Sequence, residues 1–477
     1  MDSRVWTIAR DEWRYWRRSK LAMTLLLIAV LLASTSVIVT YSSVNEEANQ
    51  REHLQLQAEQ TFVGQPDRHP HRMVHYGHYL FRSPPPLGRL DPGIDPFTGT
   101  SIFLEGHRQN GSTFAQRQQS SGLTWLGTLS PAFVMQVLMP LLLILIGYGV
   151  MTREREAGTF EFLKVQGVAP IILIMGKGLA LAGAGLLVLM PLLLGALWSL
   201  LNGASLLPVA AFILSYVIYL TIWCGFVLLA SVLSTSNTTS FSSLIGVWIL
   251  CCLIIPRVAS NTATVVVASP GKLETDFAVL QKLRELGDGH NANDPAFNAL
   301  KDNLLAKYQV DSVEALPINF KGVVAQHSEA QLTQVLNQFA EQQMREALSQ
   351  AQVARQFGWL SPVIAIQTAS MKLAGTDLEN YQRFLREAET VRYDFVQAMN
   401  RLHAEAVSYA DDVNKYQDHD THQRAKADAS HWDIIQDFHF TPLTPKQLVM
   451  NSLNALLQLM CICAAVLSLI FFAGRRL

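Results

Sequence analysis

Residues 171–200 read IILIMGKGLALAGAGLLVLMPLLLGALWSL, a run in which Lys177 is the only charge. A hydrocarbon core about 30 Å thick takes about 20 apolar residues to cross as a helix. This run is long enough to cross, and Pro191 within it is a tolerated kink site. Runs of the same kind flank it. They cover residues 21–41, 126–150, 206–233, 241–255 and 448–473, the second interrupted only by Ser130, Pro131, Gln136 and Pro140. The expected fold is therefore a mainly α membrane protein with six transmembrane helices.

Composition agrees. Of 477 residues, 50% are hydrophobic and 16% are charged, and the mean hydropathy is +0.20. Soluble domains carry about a quarter charged residues. The net charge of −1 supplies no basic field for nucleic acid. The cysteines, Cys224, Cys251, Cys252, Cys461 and Cys463, all fall in apolar runs. They read as small apolar membrane residues, which excludes a disulfide framework in the polar segments.

Short basic flanks give the direction of threading. Arg4, Arg10, Arg14, Arg17, Arg18 and Lys20 precede the first span. Arg153, Arg155, Lys164 and Lys177 lie between the second and third, and Arg475 and Arg476 follow the sixth. With six spans all three sets fall on one side, so both termini are expected in the cytoplasm. The leader mixes Trp6, Trp13, Tyr15 and Trp16 with arginines, which suits an interfacial helix rather than a cleaved signal peptide.

The expected division follows. Residues 1–20 form the interfacial helix, 21–41 the first span, 42–124 a first extracytoplasmic segment and 126–150 the second span. Residues 151–170 form a cytoplasmic connection, 171–255 the third to fifth spans, 257–446 a helical extracytoplasmic domain, 448–473 the sixth span and 474–477 a tail.

The first outer segment carries turn signals at Pro84-Pro85-Pro86 and Asp91-Pro92-Gly93. Its residues 46–60 can continue the first span as helix. In the second, Leu332, Val335, Leu336, Phe339, Met344 and Leu348 fall at helical spacing. So do Ala388, Val391, Phe395, Met399, Leu402, Ala406, Tyr409, Val413 and Tyr416. Two antiparallel helices packed as a stalk are expected, bent at Gly358-Trp359-Leu360-Ser361-Pro362. The stripe serves as packing core or as a partner surface. Between them, residues 363–371 are too short to span, and lie on the outer membrane surface or against the first segment.

No Walker motif is present, since Gly176-Lys177-Gly178 lacks the upstream glycine and the following Ser/Thr. No nucleophile elbow or spaced Cys/His pair indicates an enzyme. His69, His71, His75 and His78 cluster in the first outer segment, with His107 beyond, and His419, His422, His431 and His439 in the second. Imidazoles at such spacing can bind zinc or copper. No cysteine, tight carboxylate set or His-Glu-x-x-His pattern completes a site, so these histidines read first as structural and the expectation is no bound metal.

The cytoplasmic connection holds the informative motif, Arg153-Glu154-Arg155-Glu156-Ala157-Gly158-Thr159-Phe160-Glu161-Phe162-Leu163-Lys164. It reads as a short amphipathic helix whose charges pair along it or with a docking protein, with Phe160, Phe162 and Leu163 as apolar anchor. Positive-inside charge explains the arginines but not the paired glutamates or interleaved aromatics.

Here the sequence resembles the permease subunits of ABC-2 type transporters. In that family a Glu-Arg-Glu-x-Gly-Thr stretch follows the second span and leads into the coupling helix, and here it stands as Glu154-Arg155-Glu156-Ala157-Gly158-Thr159. His75-Tyr76-Gly77-His78-Tyr79, Leu90-Asp91-Pro92-Gly93, Leu104-Glu105-Gly106-His107 and Ala374-Gly375-Thr376-Asp377 look like a bacterial subgroup with an enlarged outer domain. The resemblance implies a type V exporter-like permease architecture in the bacterial inner membrane. It implies pairing with a second, identical or different, permease subunit, among membrane lipids, above cytoplasmic ATPase subunits that hold ATP-Mg. Arg153, Glu154, Arg155, Glu156, Gly158, Thr159, Phe160, Glu161 and Phe162 would couple the two. The chain itself would carry no cofactor. A mechanical transmitter acting on an outer protein partner, or a membrane-anchored scaffold, are the other readings.

Overall fold

The computed structural model describes residues 3–112, 129–435 and 438–477. It is 78% helical. Among the described residues, six helices are long and apolar enough to cross a membrane: Leu21–Ser42, Pro131–Glu156, Pro170–Leu201, Leu206–Leu233, Asn237–Val266 and Pro445–Arg476. The chain is thus a mainly α, multi-pass membrane protein. The expected start of the second span, residues 126–128, and the last part of the first outer segment lie outside the described residues.

The spans are unequal in their surroundings. In the fourth, 61% of the apolar window is buried within the chain, against 17% in the fifth. The second, third and fourth are the more enclosed spans, while the fifth presents Leu250, Leu253, Ile254 and Val258 outward. The common core includes Met139 and Leu143 of the second span, Leu181 and Leu192 of the third, Phe212 and Trp223 of the fourth, and Leu459 of the sixth.

The fifth span corrects the expected end at residue 255. The helix runs through Pro256 to Val266 because a π-helical turn, Leu250–Ile254, precedes the proline. The second span carries the same device, Val134–Leu138 ahead of Pro140. A proline removes one N–H and crowds the preceding turn, and a widened turn relieves this. Carbonyls in these turns receive side-chain donors. Trp248 Nε1 donates to Val137 O at 3.0 Å, Ser361 Oγ to Cys251 O at 2.7 Å, and the Tyr219 hydroxyl to Gln136 O. Polar backbone at membrane depth is tolerated only when satisfied in this way.

One end of the bundle gathers both termini. Arg4 Nη1 donates to Gly167 O at 3.2 Å, and Lys164 Nζ to Leu477 O at 3.0 Å. The other end carries nearly all the remaining polar chain. The first span continues as one helix, Leu21–Val63, of 43 residues. A helix Pro70–Tyr76 and a two-stranded antiparallel hairpin follow, His78–Phe81 against Ser101–Leu104, with His78 opposite Leu104.

Two long helices, Phe320–Gln356 and Leu378–Ala406, run antiparallel. Their cross-contacts descend in order: Gln382 to Met344, Arg386 to Glu341, Arg392 to Glu329, Gln397 to Gln326. Gly322 lets the ends meet, since a Cβ there would stand 2.4 Å from the Ala404 nitrogen. The second apolar stripe is shorter than expected. It buries Ala388, Phe395 and Met399, then breaks at extended Val407, where Ser408 caps a new helix, Tyr409–Asn414. Val413 and Tyr416 are exposed.

Residues 363–371 belong to a helix, Pro362–Ala374, wedged into the outer end of the bundle. Val363, Ala365, Ile366, Ala369 and Leu373 join the same core as the spans. It also meets the first outer segment. Ser370 Oγ donates to Asp91 Oδ2, and Thr376 Oγ1 donates to Asp91 O at 2.9 Å.

Candidate functional site

The stretch expected as one helix is two, Thr152–Glu156 and Thr159–Val165, joined at a corner. Gly158 makes the corner with φ +70°, a left-handed conformation that only glycine adopts without strain. Thr159 Oγ1 steadies it from the far side, donating to Glu154 O at 3.1 Å.

Before the corner, Arg153 and Glu154 turn inward, Arg155 is half-buried and Glu156 is exposed. Arg153 Nη2 donates to both oxygens of Glu12, at 2.9 and 2.7 Å, and its guanidinium lies 3.5 Å from the Tyr15 ring centre. Lys177 Nζ stands 2.6 Å from Glu12 and 2.6 Å from Glu154. Two carboxylates and two cations thus close a neutral network. It ties the N-terminal helix Ser3–Ser19, the second span and the third. Arg155 donates to Ser234 O, and Glu156 accepts from the Asn237 backbone nitrogen at 2.7 Å. These two bind the corner to the entry of the fifth span.

After the corner the helix faces both ways. Phe160 is buried, with the Arg155 guanidinium 5.5 Å from its ring centre. Phe162 is 63% exposed and Val165 87%, with Glu161 beside them, 3.5 Å from Lys164. This ion pair is exposed and weak. The exposed surface after the corner is therefore apolar with one acid, and Arg153 and Glu154 of the preceding run support it from within. Of the expected charges, Arg153 and Glu154 pair with Glu12 and Lys177 inside the chain, Arg155 is half-buried, and Glu156 is exposed.

Glu12 and Lys177 were not among the expected site residues. The signal for Glu12 lies in the N-terminal helix itself. Its buried positions are Val5, Ala9, Glu12 and Trp16, so a carboxylate occupies the inward stripe.

The histidines divide three ways. His78 is buried against Phe62, without a partner for either ring nitrogen, and burial pushes it down to about 4. His69 and His403 converge on buried Asp412, at 3.2 and 2.8 Å. Asn319 donates to Asp412 at 3.2 Å and Lys415 at 2.7 Å. Burial opposes ionisation of Asp412, yet the hydrogen bonds from His403, His69 and Lys415 hold its carboxyl well below the usual range. With a lysine on it, this carboxylate is a saturated structural hub. His71 and His75 instead meet His107 and, from the distant second segment, His290. Sequence spacing could not reveal that grouping. Among the described residues, His419, His422, His431 and His439 join neither group.

Residues 273–441 match a sequence family described as a domain of unknown function, DUF3526. The matched region begins in the helix Lys272–Arg284 and ends before the sixth span, so it contains both long antiparallel helices, the wedge helix, the Asp412 hub and His290. No curated protein matches the chain.

Proposed function

We propose that this chain is the membrane subunit of an ATP-driven transporter of the ABC-2 type, forming half of a translocation pathway above a separate ATPase. The observation that carries the reading is the corner at Gly158. A short helix with Phe162, Val165 and Glu161 exposed stands at the end of the bundle that holds both termini. It is braced by Glu12, Arg153, Glu154 and Lys177 against three helices. A push on that helix has a rigid route into the first three spans. The basic flanks support a cytoplasmic position for this face, where ATPase subunits with ATP-Mg would dock, with the DUF3526 region outside a bacterial inner membrane. The lipid-exposed fifth span leaves room for a second permease subunit.

The test is purification of the full chain from its native membranes. An ATPase subunit should accompany it, and Phe162→Ala with Val165→Asp should release that subunit without lowering thermal stability. If the wild-type chain brings no ATPase with it, the reading fails.

A second reading rests on the unbroken helix Leu21–Val63. At 1.5 Å per residue its 43 residues span about 65 Å. Its tip, Phe62, packs on Phe395 with ring centres 5.5 Å apart. Such a rod would carry motion to the outer domain with no cargo crossing. A blocked pathway between the second and fifth spans would abolish transport but spare a mechanical role.

A further inference from the structure

We infer that His71, His75, His107 and His290 bind one divalent transition-metal ion of the zinc, copper or nickel class, bridging the first outer segment to the DUF3526 region. One ring nitrogen from each lies within 4.8 Å of the other three. All six ring pairs have centres between 4.7 and 6.1 Å apart.

Local structure explains the convergence. His71 and His75 lie one turn apart on the helix Pro70–Tyr76, whose inner face, Met73 and Val74, packs into the core beneath Phe62. His107 follows the second hairpin strand at φ +64°, and His290 sits in the turn after the helix Lys272–Arg284. Three separately anchored segments therefore deliver the rings to one point.

The nitrogen geometry matches a metal. Two ligands on a tetrahedral ion with bonds of 2.0–2.1 Å stand about 3.3 Å apart. His71 Nε2 and His75 Nε2 are 3.2 Å apart. His107 Nδ1 lies 2.8 Å from Glu329 Oε2, and that carboxylate is held from its other side by Arg392 at 2.6 Å. A carboxylate on the far ring nitrogen is the usual support of a metal-bound imidazole. His107 Nε2 is buried and has no hydrogen-bond partner. His290 Nδ1 has its own carboxylate, Asp288, at 3.4 Å. His75 and His290 are exposed, so an ion can enter from solvent.

Chemistry narrows the ion. An all-imidazole set suits zinc, copper and nickel, whereas calcium and magnesium want oxygen. The inference is independent of the transport reading, because the cluster lies outside the spans and uses none of the corner residues.

The experiment uses the detergent-purified full chain carrying no polyhistidine tag, stripped with chelator and titrated with Zn2+, Cu2+ and Ni2+. One ion per chain should bind saturably, raise the melting temperature and protect the loop around His290 from proteolysis. Bound Cu2+ should show nitrogen splittings in its EPR spectrum. His75→Ala and His290→Ala should each weaken binding at least about tenfold, while His419→Ala with His422→Ala leaves it unchanged. Absence of saturable binding by all three ions overturns the inference. So does oxygen-only coordination of Cu2+, or binding that survives the His75→Ala, His290→Ala double variant. Equal melting temperatures of wild type and variants in chelator separate ligand loss from misfolding.

Discussion

Glu12 and Lys177 lie 2.6 Å apart, both almost wholly buried, where the N-terminal helix crosses the third span. Neither charge stands alone, because Arg153 completes Glu12 and Glu154 completes Lys177. Buried charges persist only when paired and hydrogen-bonded. Here the pairing fixes which face of the leader helix sits on the bundle.

Glu12→Gln leaves Arg153 without its carboxylate and Lys177 with one partner instead of two. Removing one member of a buried pair costs about 3–5 kcal/mol, and the surviving Glu154 contact should hold the loss to the lower end. Thermal unfolding in detergent measures it. Glu161→Gln, on the exposed helix, should unfold like wild type.

Gly158→Ala should destabilise the corner by about 1–2 kcal/mol, the cost of left-handed backbone for a residue with a Cβ. Open space surrounds the position, so the effect is backbone strain and not collision. Gly158→Asn should cost less. Similar stabilities for all three would show that the corner tolerates another conformation.

Arg392 donates to Glu329 at 2.6 Å, Glu389 at 2.8 Å and Thr333 at 2.8 Å, with almost no exposure. Arg392→Met should lose about 3–5 kcal/mol, because Glu329 stays buried and uncompensated. Adding Glu329→Met should restore part of that. A double variant no better than the single would argue against the pairing.

Asp91 is fully buried, and burial pushes its carboxyl up to about 6 against the hydrogen bonds from Ser370 and Gly93. The folded state then holds the proton more tightly than the unfolded chain, whose value is about 3.8. Its contribution is fully present below pH 3.8 and is lost as pH rises through 6. Relative to Asp91→Asn, wild type should gain up to about 3 kcal/mol on going from pH 7 to pH 4. A flat difference across that range would contradict the burial of a charged Asp91.

Glu154→Lys with Glu156→Lys should uncouple ATP hydrolysis from transport. It places like charge against Lys177 and removes the cap at Asn237. Transport and hydrolysis measured together in vesicles check this, and unchanged coupling would sink the proposed role of the corner.

The spans were legible because about 20 apolar residues leave few alternatives to a membrane helix. The long outer helices were legible through their spacing, up to the point where a serine cap at Ser408 offered the chain another start. Pro362–Ala374 was harder. A short helix buried on most sides has no polar face to give it a period, so its wedge position depends on the spans around it. Of the site, the motif at 153–162 was visible as charge and aromatic pattern, but which charges turn inward depends on Glu12 and Lys177, far away in sequence. His290 is remote from His107 along the chain and joins it only because folding brings the two outer segments together.

The unbroken helix Leu21–Val63 also has a rotational phase. Each residue turns a helix by about 100°, so one residue inserted near position 52 would leave the first span and the outer core individually sound. It would turn Phe62 and everything beyond it a quarter-circle away from Phe395. The stretch of this helix between the span and Phe62 is thereby constrained in length more strictly than in composition.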